Sequence, residues 1–207
     1  MAEDAYERYT QAYGPDHPAT LAAAANLGNS RRIGGDLPVA GKLMTTTVEK
    51  YRSLFGDDHP YTLCSSLNLC IINRRLGDVD SARRGLEDVY RGLSQLIGPD
   101  KHPALLCAVN LATTLAEQGD LKAAAQLGEE TLPQLTELLG RDHPHTLTCA
   151  TNLALDLKAL GQTQRAAELA SDTLQRYRRA LGPEHPEVRA AENQQRQDLG
   201  IEVPVLL

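Results

Sequence analysis

Tryptophan is absent from this chain, phenylalanine occurs once and methionine twice among 207 residues. With aromatics at 4% and hydrophobic residues at 42%, the interior has to be built from alanine and leucine, in many thin layers rather than around a few large rings. No run of about 18 apolar residues occurs and no segment resembles a signal peptide, so a soluble, cytoplasmic protein is expected. A basic excess is missing too: 21 Lys and Arg stand against 27 Asp and Glu, giving a net charge of −6. Phosphate contacts need a basic footprint, which argues against nucleic acid as the main ligand, and nothing suggests a membrane partner. Cys64, Cys70, Cys107 and Cys149 share no C-x-x-C spacing, so they read as small core residues in a reducing compartment rather than as metal ligands or disulfides. No Walker loop, HExxH or nucleophile elbow is present, and no carboxylate pair stands out. No catalytic residue, metal site or cofactor is expected, and the chain does not read as an enzyme.

What is present is a beat. Asn26, Asn68, Asn110 and Asn152 fall 42 residues apart, each followed by leucine. Gly35, Gly77, Gly119 and Gly161 keep the same spacing, as do Ala40, Ala82, Ala124 and Ala166. A fixed period in this range marks a stack of supersecondary units, none of which can bury its apolar face without a neighbour. A second glycine series, at 14, 56, 98, 140 and 182, opens a His-Pro junction such as G-D-D-H-P at 56 and G-R-D-H-P at 140. The third junction, G-P-D-K-H-P, carries Lys101 as one extra residue.

Each unit reads as two helices. Proline suits the first helical position, and the residue before it is pushed out of the α region, so every His-Pro marks a helix start. The run after it, as in Leu147, Leu153, Leu157 and Leu160, has helical spacing. Gly77 or Gly119 then supplies a left-handed C-terminal position, and the following Asp can cap the next helix. The junction histidines are expected to serve these turns, one per repeat, without converging on a common site.

The fold class is therefore all-α, a solenoid of antiparallel helix pairs with a 42-residue period. Its parts are an orphan second helix at 1–14, repeats at 15–56, 57–98, 99–140 and 141–182, a capping helix at 183–198 and a tail at 199–207. The unpaired helix suggests a fragment of a longer array, and the polar run A-E-N-Q-Q-R-Q-D in the last helix suits a terminal cap followed by a natural C-terminus. In the tail, Ile201, Val203, Leu206 and Leu207 are expected to fold back over that last helix.

On a helical wheel the recurrent leucines lie roughly opposite the asparagines, so the Asn row faces away from the core. Ala22, Asn29 and Ser30 share its face in the first unit, and Cys64, Ile71, Ile72 and Arg75 in the second. Leu106, Thr113 and Thr114 do so in the third, and Thr148, Leu155 and Asp156 in the fourth. An asparagine offers a donor and an acceptor, so a row of them can pair with a peptide backbone whatever its sequence, beside an apolar pocket at Ile71, Ile72 and Leu106. The alternative is that the Asn row bonds between neighbouring first helices and holds the repeats in register. Arg31, Arg32, Arg74 and Arg75 could clamp a carboxylate, or simply complement the helix dipole.

The repeated G-x-D-H-P-x-T-L…N-L…L-x-x-x-G-D…A pattern resembles the tetratricopeptide repeats of kinesin light chain type and covers nearly all of the chain. The resemblance implies a right-handed superhelix whose first helices line a concave, peptide-binding groove, and it implies ligand contact at Asn26, Asn68, Asn110 and Asn152. The segment D-L-G-I-E-V-P-V-L-L at 198–207 resembles the terminus of actinobacterial NB-ARC/tetratricopeptide proteins, including those of FxSxx-COOH peptide systems. Those usually read more like D-C-D-I-E-P-P-P-M, and two of the three prolines and the cysteine are absent here.

The expected function is a non-catalytic peptide- or protein-binding scaffold, with Asn26, Asn68, Asn110, Asn152, Ile72, Arg75, Leu106, Thr114 and Asp156 lining the groove. The alternative is a structural or self-associating module, stacking through the end helix that carries Tyr6, Tyr9 and Tyr13.

Overall fold

Why each helix begins where it does is written in the His-Pro junctions. In the computed structural model, which describes residues 2–204, His17, His59, His143 and His185 are extended N-cap residues whose ring Nδ1 accepts the backbone N–H two residues on, at 3.1–3.3 Å. The ring thus takes one of the four N–H groups that a helix start leaves without an intrahelical acceptor. Lys101 displaces this arrangement in the third junction: it becomes the N-cap residue, makes no side-chain cap bond, and releases His102 into the helix.

Ten helices result among the described residues, and no strand. They are α1 (Ala2–Tyr13), α2 (Pro18–Ile33), α3 (Leu37–Phe55), α4 (Pro60–Arg75), α5 (Val79–Ile97), α6 (His102–Glu117), α7 (Leu121–Leu139), α8 (Pro144–Ala159), α9 (Thr163–Leu181) and α10 (Pro186–Glu192). The chain between α4 and α5 shows how a pair is joined. Gly77 sits at φ 97°, a backbone that side chains rarely tolerate. Its N–H and that of Asp78 return to the carbonyls of Arg74 and Asn73, closing the helix end. Asp78 then accepts the Ser81 N–H at 3.2 Å and starts α5.

The described residues form two compact units, one of residues 2–98 with 200–204, the other of residues 99–199. In the first, Leu21, Ala22, Ala25, Ala40, Met44, Val48, Tyr51 and Ile72 pack into a core that also takes in Val203. Small residues set the spacing: a Cβ on Gly85 of α5 would stand 2.5 Å from the Cys70 sulfur of α4, so only glycine fits there. In the second unit, Ala125, Leu153, Leu157 and Ala166 form one cluster, and Leu147, Tyr177 and Val188 another.

Two expectations about the last part of the chain need correction. The final helix stops at Glu192, not near 198, in a turn whose left-handed residue is Gln194 at φ 54°. The N–H groups of Gln194 and Gln195 close that turn on the carbonyls of Ala191 and Ala190. Nor do Ile201 and Val203 cover the last helix. Both lie in the first unit, where Val203 is 1% exposed in the core just described. Leu206 and Leu207, expected in the same apolar cap, lie outside the described residues.

Candidate functional site

The asparagine of each first helix grips one residue of the extended segment after α10. In the second unit, Asn152 of α8 donates from Nδ2 to the Gln197 carbonyl at 2.9 Å and accepts the Gln197 N–H on Oδ1 at 3.0 Å. Asn110 of α6 holds Leu199 the same way, at 2.8 and 3.2 Å. In the first unit, Asn68 of α4 holds Ile201 at 2.7 and 2.9 Å, and Asn26 of α2 holds Val203 at 2.9 and 3.0 Å. Each pair satisfies both backbone groups of one residue, as a neighbouring strand would. Gripped residues alternate because N–H and C=O of every second residue in an extended chain point to the same edge.

Side chains add contacts of their own. Leu199 is 5% exposed, and Val203 packs with Leu21, Ala22, Ala25 and Ile72. Arg196 forms an ion pair with Asp156 of α8, a carboxylate only 1% exposed. Burial holds the Asp156 carboxyl above its ordinary value, and Arg196 pulls the other way. Gly200 lies so close to α2 that a Cβ there would be 2.7 Å from the Arg32 guanidinium and 2.8 Å from Asn29 Oδ1. Those two side chains are themselves bonded, Arg32 Nε to Asn29 Oδ1 at 2.9 Å.

The remaining candidates divide. Ile72 meets Val203, Leu106 is fully buried, and Thr114 donates to the Asn110 carbonyl within α6 at 2.8 Å. Arg75 donates to the Arg32 carbonyl at 3.2 Å, tying α4 to the end of α2. Arg31 pairs with Glu3 of α1 at 2.7 Å. Leu155 lines a cavity of about 420 Å³ with Leu174, Ala191 and Gln194. Asn152 also donates to Thr113 Oγ1 at 3.1 Å, so one asparagine bonds between neighbouring first helices as well as to the extended segment.

The expectation that junction histidines stay apart is corrected in the second unit. His145, the second residue of α8, shares a hydrogen bond between its Nδ1 and His102 Nε2 at 2.9 Å, and His143 packs edge-on against it with ring centres 4.8 Å apart. Burial and neighbouring histidines lower the His145 pKa to about 4, and His102 is lowered for the same reasons. Among the described residues no group of three or more possible ligands is arranged to hold a metal ion. The cysteines carry free thiols, and burial pushes Cys64 up to about 11 and Cys70 and Cys149 to about 12, which keeps them protonated and unreactive.

Antiparallel helix pairs that present one conserved-spacing amide per pair to an extended segment define a helical-repeat scaffold. The tetratricopeptide repeat family model matches residues 61–137 and 105–179, more than half of the chain. The chain belongs to the tetratricopeptide repeat family, whose members are non-catalytic scaffolds for protein–protein contact. Among solved structures it is similar to the nearly identical TPR-like repeats of a Podosopora anserina protein described as a kinesin light chain, at 25% identity and a TM-score of 0.70, covering 86% of this chain and 84% of that one. A second crystal structure of those repeats gives 25% identity and a TM-score of 0.69. BtubC (BKLC) from P. vanneervenii shares the fold at 16% identity, with a TM-score of 0.70 over 93% of this chain and 79% of the other. No curated protein matches the chain significantly. No helix among the described residues is long and apolar enough to cross a membrane.

Proposed function

We propose that this protein is a scaffold that binds an extended peptide segment of a partner through the asparagines of its first helices. The observation that carries the reading is the two-bond grip of Asn26, Asn68, Asn110 and Asn152 on alternate backbone residues. Such a grip recognises extended backbone of any sequence, in the manner of strand addition. Apolar contacts and one ion pair around it then select among sequences. Catalysis has no part in this reading.

The test is a peptide-library binding screen on the purified chain, run beside Asn68→Ala/Asn110→Ala with helicity and melting matched to the parent. Peptides that bind the parent and not the equally folded variant support the reading. Binding unaffected by the variant sinks it. A second reading has its own observation: since the asparagines already hold residues 197–203 of the same chain, they can serve as a structural clasp. A large drop in melting temperature of the double variant, with no peptide bound by the parent, favours the clasp.

A further inference from the structure

We propose that residues 196–203 are a built-in stand-in for the partner, displaced when the partner binds, and that their sequence states the chemistry the partner must carry. The inference rests on the peptide-binding reading above and adds to it the ligand's pattern and the need for displacement. In the second unit the pattern is an arginine followed three residues later by an apolar side chain, read by Asp156 and by the pocket that buries Leu199. In the first unit it is glycine, then apolar residues one and three positions on, corresponding to Gly200, Ile201 and Val203.

Each element has a physical reason. Asp156 is a buried carboxylate whose desolvation raises its pKa, so a cation opposite it is favoured over a neutral residue. Gly200 faces the bonded pair Asn29 and Arg32 at distances that exclude a Cβ unless that pair moves. Val203 fills a closed apolar cluster with Leu21 and Ile72, where a polar side chain would lose its hydration without a partner. Glu202 falls on the other edge and is exposed, so that position is left open to any residue. A stand-in of this kind also sets a threshold. If the segment is seated about 99% of the time, a partner's apparent affinity falls about 100-fold.

The test compares the full chain with Leu199→Asp/Val203→Asp, which puts a carboxylate where each unit now buries an apolar side chain and leaves every helix unaltered. The probe is the labelled peptide QRQDLGIEVP, the sequence of residues 195–204. The variant is expected to bind it at least about tenfold more tightly than the parent does, because its own segment no longer competes. Methylating the peptide nitrogens of the residues matching Leu199 and Ile201 removes gripped donors and should abolish binding, whereas methylation at the Glu202 position should leave it. Replacing the peptide's glycine by valine should weaken binding by about tenfold or more.

Equal binding to parent and variant overturns the stand-in while leaving peptide binding itself in place. Failure of the folded variant to bind this peptide, when library peptides still bind the parent, overturns the pattern alone. If the variant does not fold, amide exchange on the parent decides. Slow exchange at 197, 199, 201 and 203 with fast exchange at Glu202 is expected, and uniformly fast exchange along the segment overturns the proposal.

Discussion

Asn68 holds Ile201 by both of that residue's backbone groups, donating to its carbonyl at 2.7 Å and accepting its N–H at 2.9 Å, while Asn68 itself is fully buried. Only an amide can do both. Asn68→Asp keeps the size but replaces the donor by a carboxylate oxygen facing a carbonyl. It is expected to loosen Ile201 at least as much as Asn68→Ala, by about 1–3 kcal/mol for the lost bonds. Amide exchange at Ile201, read by NMR, should speed up by about tenfold or more in both variants. Unchanged exchange in Asn68→Asp would show that the pair contributes nothing.

His185 caps α10 by accepting the Glu187 N–H at 3.3 Å. An imidazole nitrogen is an uncommon cap, and asparagine or serine does the same work. His185→Ala should cost about 1 kcal/mol, and His185→Asn should restore most of it. Thermal melting of the three proteins checks this, and equal melting of the alanine and asparagine variants counts against a capping role.

Gly85 is held to glycine by Cys70, whose sulfur a Cβ would approach to 2.5 Å. Gly85→Ala in α5 should therefore destabilise by about 1–3 kcal/mol through overpacking. In a Cys70→Ala background the same change should turn stabilising by a few tenths to about 1 kcal/mol, because alanine is the better helix former. Denaturant unfolding of the double-mutant cycle reads the reversal of sign. No reversal would place the strain elsewhere.

His145 gives the second unit a pH dependence. Its folded pKa of about 4 lies below that of the unfolded chain, which is about 6.5. Between those values the unfolded chain takes up a proton that the folded protein refuses, so the contribution is complete above pH ~6.5 and is lost as pH falls toward 4. His102, lowered too, acts in the same sense. After allowance for solvent screening, His145→Gln should remove about 1–2 kcal/mol of that pH-dependent loss. Urea melts of parent and variant between pH 7 and 4.5 test it, and parallel curves would rule His145 out.

Much of this architecture was legible in the sequence because its cues are local. His-Pro, the glycine at a left-handed turn and the leucine spacing each act within a few residues, and the helix bounds follow them closely. The direction of the Asn row was readable from the wheel, since the leucines claim the opposite side. What the sequence concealed was long-range. Residues 193–198 continue the polar helical composition of α10, and nothing local says that the chain leaves the helix at Glu192. The reason lies elsewhere, in Asn152 and Asn110, which satisfy the backbone that the helix gives up. One sign was present and misread: Leu199, Ile201 and Val203 alternate with Asp198, Gly200 and Glu202, the period of an extended chain rather than of a helix. The His102 and His145 contact was hidden for a similar reason, because Lys101 shifts His102 out of the capping position that its neighbours occupy.

The grip on alternate residues also imposes a reading frame. Within each unit the two asparagines meet residues of one parity, so inserting a single residue between Glu192 and Gln197 would present the wrong backbone edge to both, and every bond would be lost together. Inserting two would restore the bonds with a different pair of side chains in the pockets. Lengths in this part of the chain are therefore counted modulo two.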